Sequence, residues 1–374
     1  MPIADNSSSP HGRDSEMMKC TMFAYSTSPH VSQLYTGFSL LAAKGKISLT
    51  QKLSNYSHRS IESMKNLRPQ DLNGLFLILD EKKTLFYDTS DSPNLQNDAL
   101  EISDAYFKRS FTHASIPDRH KSRVYPLGLN YELYTGTLNR HEIVRFIARR
   151  NVFKNFPWEL MKRMAELLSL SFLPTIKNMC APPVLHQEPC VLFMARAWDP
   201  SGEGAELSGE EKAQRGQINE TRARCIELLR KELGPKFYGG FAQTKYAVNN
   251  YSKLLLESPL TSGKENYLSL LRQYPICIAT TGLHDSIGWK MAEYVAFSKA
   301  IVLEKLKCLV PGNFQAKKNY LEFDTPEKCL QETMRLVEDR QSRQRMMEDN
   351  WAYYKDHIMP DKLVLRTLSI ARET

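Results

Sequence analysis

Residues 280–297 read Thr280-Thr-Gly-Leu-His-Asp-Ser-Ile-Gly-Trp-Lys-Met-Ala-Glu-Tyr-Val-Ala-Phe297. Just before them stands Ile276-Cys-Ile-Ala-Thr280, and just after them Lys299-Ala-Ile-Val-Leu303. Short apolar runs of this kind suit strands buried on both faces, and the segment between them reads as a glycine-bounded turn opening a helix over 289–297. Strand, turn, helix, strand with short connections is the unit of a parallel sheet with right-handed crossovers. Gly282 and Gly288 let the backbone turn tightly and approach a ligand closely. The helix that follows presents free N–H groups, which attract a diphosphate. Lys290 in its first turn adds charge, and Glu293, one turn further on, is placed to accept two ribose hydroxyls.

The same alternation extends upstream. Cys190-Val-Leu-Phe-Met-Ala-Arg196 reads as a buried strand, followed by a polar loop over 199–216 and a helix from Ile218 to Leu233 that Gly234-Pro235 ends. Lys236–Gly240 is the next short strand, and a helix over 264–273 leads into the run at 276. Ligands of open parallel sheets bind beyond the carboxyl ends of the strands. Arg196, at one such end, has the geometry to clamp phosphate oxygens, against the plainer option of a surface pair with Asp199.

Ala181-Pro-Pro-Val-Leu-His-Gln-Glu-Pro189 reads as a linker, so the chain divides near 175–189. The first half alternates as well. Gly74–Leu79, Lys83–Tyr87, Asp104–Ser110 and Arg123–Asn130 are strand-like, with helical patterns at 31–43 and 140–150. The resulting expectation is an α/β protein with a leader over 1–20, a domain over 21–180, a second over 190–345 and a terminal segment over 346–374. The leader, polar and without a basic stretch followed by an apolar core, reads as disordered and not as a secretory signal.

A length of 374 residues, 42% apolar and 25% charged, is an ordinary globular mixture, which argues against a wholly disordered, collagenous or disulfide-built chain. Seven cysteines without a Cys-x-x-Cys pair argue against a structural zinc site and suit a reducing, cytoplasmic compartment. The net charge of +8 is uneven: residues 1–180 hold 23 Lys and Arg against 17 Asp and Glu. The excess concentrates in 140–163, which reads either as a solvated helix face or as a peripheral contact with anionic membrane.

Asp285-Ser-Ile-Gly-Trp-Lys-Met-Ala-Glu293, with its following small apolar helix and strand, resembles the E-x7-E motif of the GT-B glycosyltransferases. Asn350-Trp-Ala-Tyr-Tyr-Lys-Asp-His-Ile-Met-Pro360 is similar to the tail helix of that class, which crosses back to the amino-terminal domain. The resemblance covers 190–374 by motif and the first half by architecture. It implies two Rossmann-like domains facing across a cleft, with transfer of a sugar from a nucleotide sugar to a glycan or lipid-linked acceptor. It also places Arg196 and Lys290 at the diphosphate, Glu293 at the ribose and Asp285 at the donor sugar, with Gly282, Ser286, Gly288 and Trp289 completing the donor loop. Asp285 stands where the class usually has Glu, and the loop lacks the wording Glu-Gly-Phe-Gly, so the stereochemical outcome stays open.

Glycosyl transfer leaves negative charge on the departing diphosphate. No Asp-x-Asp triplet is present, and the expectation is stabilisation by Arg, Lys and a helix end, with neither metal nor cofactor. A base for the acceptor hydroxyl would come from the first half. Asp88, Asp91, Asp104 and His113 are candidates there, each against the commoner role of a turn or surface residue, and Asp91 is carried forward. His284, beside Asp285, is the further catalytic candidate. Lys108-Arg109 and Tyr125–Asn130 read as strand ends at the cleft. Two other readings compete: a basic nucleic-acid binder, which lacks a recognisable motif here, and an inactive member of the fold acting as a partner subunit.

Overall fold

A computed structural model describes residues 17–24, 26, 28–52, 74–136, 174–202 and 206–374. Two sheets organise them. The first contains β1 (Met18–Phe23), β2 (Ile47–Lys52), β3 (Gly74–Leu79), β4 (Lys83–Asp88), β5 (Ala105–Lys108) and β6 (Val124–Pro126), in the order β2-β1-β3-β4-β5-β6. The second contains β7 (Val191–Ala195), β8 (Phe237–Phe241), β9 (Ile276–Ala279), β10 (Ala300–Glu304) and β11 (Leu321–Phe323), in the order β11-β10-β9-β7-β8.

All neighbours in the second sheet run parallel. Its strands alternate strictly between two cores. Leu192, Met194, Cys277 and Ala279 face one, whereas Val191, Phe193, Ile276 and Ile278 face the other. Because both faces are covered, the strands read as continuous apolar runs. The strand order reverses direction between β7 and β9, the switch point at which a doubly wound sheet opens a crevice.

The first sheet is mixed. β1 pairs parallel with β2, and β4, β5 and β6 run parallel, but β3 is antiparallel to both of its neighbours. Asp80 and Glu81, both left-handed at φ 51° and 58°, close a tight turn between β3 and β4, and a turn that short can only reverse the chain. The Rossmann-like expectation for this half therefore holds with one reversed strand inserted.

Helices flank both sheets: α1 (Ser32–Ala43), α2 (Asn97–Ile102), α3 (Gly209–Leu233), α4 (Lys245–Asn250), α5 (Lys264–Gln273), α6 (Trp289–Ala296), α7 (Pro326–Glu338), α8 (Arg340–Tyr353) and α9 (Pro360–Glu373). α8 still packs on the second sheet, with Met346 and Met347 in its core. A π-helical turn, Tyr354–Ile358, carries the chain across, and Leu363, Val364, Leu368 and Ala371 of α9 complete the core of the first sheet. The return of the terminal helix is thus as expected, but it begins at the π turn and not at 346.

Two other boundaries differ from the sequence reading. β1 starts at Met18, inside the expected leader, while residues 1–16 lie outside the described residues. α3 starts at Gly209, within the expected polar loop. Ser208 Oγ accepts from Glu211 N at 3.1 Å and Glu211 Oε2 accepts from Ser208 N at 2.9 Å, a complete capping box that starts the helix two turns early. The helical pattern at 140–150 and the basic stretch 140–163 also lie outside the described residues. No helix among the described residues is long and apolar enough to cross a membrane.

Candidate functional site

Between the two sheets lies a cavity of about 610 Å³. Its walls are the carboxyl ends of parallel strands from both domains. On the amino-terminal side, His30 follows β1, Asp91 follows β4 and Arg109 follows β5. On the other side, Arg196 follows β7, Ala242 follows β8, and residues 280–283 and 286–291 follow β9. The two crevices thus face one another, and a ligand between them would touch both domains.

The loop after β9 is folded on itself. Gly282 N donates to Ser286 O at 2.8 Å, and Ser286 N donates to Leu283 O at 3.2 Å. His284 and Asp285 both adopt left-handed backbone, at φ 57° and 56°, a conformation that non-glycine residues hold only when the surroundings enforce it. His284 N donates to Gln214 Oε1 of α3 at 3.1 Å, and the Asp285 carboxylate meets Lys307 Nζ at 3.0 Å. Gly288 is the N-cap of α6 and supplies no side-chain cap, so the first-turn N–H groups of the helix have no side-chain acceptor at the cap. A Cβ at Gly288 would meet nothing within 4 Å, which leaves this end open to the cavity.

Most of the residues singled out from sequence converge here. Arg196, Gly282, Ser286 and Gly288 line the cavity, as do Trp289, Lys290, Glu293 and Asp91. His284 and Asp285 do not. His284 is exposed, and the Asp285 carboxylate is paired with Lys307 and is not among the residues that line the cavity. Asp88 is buried with Lys108 at 3.1 Å and Ser90, and Tyr106 donates to its carboxylate, so it braces the loop that carries Asp91. Asp104 accepts from Thr84 N at 2.7 Å, at the opposite ends of the strands, and His113 sits in an exposed turn. The 125–130 run supports the site from behind: Asn130 Nδ2 donates to His30 O at 2.9 Å, while Tyr125 packs against the terminal residues.

Electrostatically the cavity favours anions. Arg109, Arg196, Arg222, Lys264 and Lys290 line it, against the carboxylates of Asp91 and Glu293. Burial pushes the Lys290 ammonium down to about 8, helped by the positive charges of Arg222 and Lys264 and opposed by Glu293. Its Nζ donates to Met194 O at the end of β7. Glu293 is buried and ion-paired with Lys264, so the ribose position expected of it is shared with a cation. Arg196 lies over the Trp198 ring, 4.7 Å from its centre.

Sequence reasoning missed Arg222, which sits part-way along α3 and outside any motif. Its guanidinium donates to Thr280 Oγ1 at 2.8 Å, Arg196 O at 2.7 Å and Thr281 O at 2.9 Å, and so ties the ends of β7 and β9 together. Arg222→Met removes all three donors and leaves buried carbonyls unpaired. It is expected to lower unfolding stability by about 3 kcal/mol, read by denaturant titration, and to abolish anion binding in the cavity. His30 was missed as well. Its ring stands 4.5 Å from the Trp289 ring, centre to centre, and Trp289 Nε1 donates to its Nδ1 at 3.2 Å.

Solved structures similar to this chain include an alpha1,3-fucosyltransferase and the carboxyl-terminal domain of a glycosyl transferase group 1 family protein from Francisella tularensis. Anabaena HepE, solved in complex with UDP-glucose, has 11% identity and a TM-score of 0.42, over 96% of this chain and 100% of that one. An alpha1,3-fucosyltransferase has 11% identity and a TM-score of 0.39, over 95% and 90% of the two chains. TarM has 14% identity and a TM-score of 0.34, over 56% of this chain, which spans 41% of TarM's length. No family model matches the chain, and no curated protein matches it.

Proposed function

We propose that the cavity holds a nucleotide sugar and that the protein transfers its sugar to a glycan or lipid-linked acceptor in glycan or surface-polysaccharide synthesis. The observation that carries this reading is one arrangement: an open helix end and five cations against two carboxylates, at the facing carboxyl ends of two α/β sheets. Diphosphate is the ligand such a wall suits, because the N–H groups and cations meet its charge without reorganisation. The β7 and β9 ends would hold the nucleotide, with Arg196, Lys290 and the α6 end at the pyrophosphate. Glu293, with Lys264 beside it, would stand at the ribose.

In the reaction the acceptor oxygen forms a bond to the anomeric carbon as the bond from that carbon to the diphosphate breaks. The acceptor's proton needs a base, and the pyrophosphate needs its charge met. Asp91 supplies the carboxylate on the amino-terminal wall. It is half exposed, with one oxygen held by Arg109. Arg196, Lys290 and the helix end take the charge of the leaving group in place of a metal ion.

The test is a titration of the protein with UDP, GDP, dTDP and their common sugars, followed by assay of released nucleotide. Binding of one of these nucleotides with a micromolar Kd is expected, with slow release from the matching sugar and no loss of that release in excess EDTA. Absence of binding across the panel refutes the reading. Binding without any release of nucleotide would instead assign an inactive member of the fold.

A further inference from the structure

His30 is partly buried and held through both its backbone and its ring. It follows β1 in the turn Pro29–Val31, its N–H donates to Ser28 Oγ at 3.3 Å, and its carbonyl accepts from Asn130 at 2.9 Å. The ring nitrogen Nδ1 faces two donors, Trp289 Nε1 at 3.2 Å and Arg109 Nη1 at 3.4 Å. The indole N–H and the guanidinium can only donate, so Nδ1 must present its lone pair. The proton of the neutral ring then sits on Nε2, for which the described residues offer no partner. His30 lines the cavity.

From this geometry we infer that His30 is a substrate-binding residue that donates its Nε2–H to an oxygen of the bound nucleotide sugar, and that Trp289 and Arg109 are the positioning residues that fix its tautomer. The inference rests on the proposed reading of the cavity. It gives the histidine a role opposite to that of a base: a nitrogen that already carries a proton cannot accept the acceptor's proton. The charged groups around the ring are Arg109 and Asp91. Burial and the Arg109 charge both lower the affinity of the ring for a second proton, and Asp91 opposes them in part, so the ring stays neutral through the neutral range.

The oxygen belongs either to the sugar or to the phosphate, and two ligands separate the sources. With UDP and UDP-glucose as probes, or the pair that the panel selects, His30→Ala is expected to weaken the sugar nucleotide about tenfold. If the nucleoside diphosphate weakens equally, the acceptor atom is a phosphate oxygen; if it is unchanged, the acceptor atom is a sugar hydroxyl. His30→Gln places an amide N–H near the position of Nε2 and is expected to recover part of the loss. The tautomer is read directly in the free protein: nitrogen NMR of labelled His30 is expected to show a protonated Nε2 and an unprotonated Nδ1. In Trp289→Phe the ring loses one donor, and its titration is expected to move towards higher pH. A protonated Nδ1, or wild-type binding that His30→Ala leaves unchanged, overturns the inference alone. A wild-type protein that binds none of the nucleotides overturns the reading of the cavity and the inference with it.

Discussion

Lys290→Met is expected to weaken nucleoside diphosphate binding about 100-fold at pH 7, because it removes a largely desolvated charge from the wall that meets the pyrophosphate. The fold should survive. In the free protein the ammonium is disfavoured by burial and by neighbouring cations, which is why it titrates near 8 and not near 10.5. A group whose pKa is lowered on folding opposes the folded state while it is charged, and that opposition fades as pH rises from about 8 towards the unfolded value. At pH 7 the methionine variant is therefore expected to melt no lower than the wild type when no nucleotide is present. The pH dependence of binding gives a second reading. Wild-type affinity should be full below pH 8 and fall as pH rises through it, since binding to an anion requires the protonated amine. The variant should lack this fall. Isothermal titration at pH 7, 8 and 9 checks both, and equal affinities for the two proteins at pH 7 would remove Lys290 from the site.

Gly37→Ala is the second large effect, and here two principles disagree in sign. Gly37 lies inside α1, where replacement of glycine by alanine ordinarily adds about 1 kcal/mol of stability. The contact across the helix says otherwise. A Cβ at Gly37 would stand 2.2 Å from Pro360 O and 2.6 Å from Val364 Cγ2, and the first of these is backbone that cannot rotate away. Relief would require α9 to lift from α1 and uncover Leu363, Val364 and Leu368. A loss of about 3 kcal/mol is expected, measured by denaturant unfolding. A gain would show that α9 is not seated against α1 through this glycine.

What could be read from the sequence follows burial. β7, β9 and β10 are covered on both faces, so each appears as an uninterrupted apolar word, announced by a proline before β7 and β9, and each was placed to within a residue or two. β2, with its pattern Ile-Ser-Leu-Thr-Gln-Lys on the edge of the first sheet, is half polar and was passed over. β1 was lost to the leader because Met18-Lys-Cys-Thr-Met-Phe23 mixes polar and apolar residues. The start of α3 was readable in principle, as Ser208 and Glu211 at capping-box spacing, but its glycine-bearing exposed first turns look like loop.

The site divides in the same way. The donor loop is local, so Gly282, Gly288 and Lys290 were found together. Asp285 was placed by its spacing to Glu293, and no linear spacing reveals two consecutive left-handed residues or the Lys307 pairing of its carboxylate. His30 and Arg222 come to the cavity through tertiary structure alone, one across the cleft from Trp289 and one from the flank of a long helix. Recognition of β1 would have exposed His30, since it follows the carboxyl end of a parallel strand.

The last helix fills the floor of the first domain, so that domain has no finished interior until residues 360–373 exist. During synthesis the earliest part of the polypeptide must therefore wait, partly open, while the second domain is made and closes first. The two halves are thus expected to be completed in the reverse of the order in which they are made.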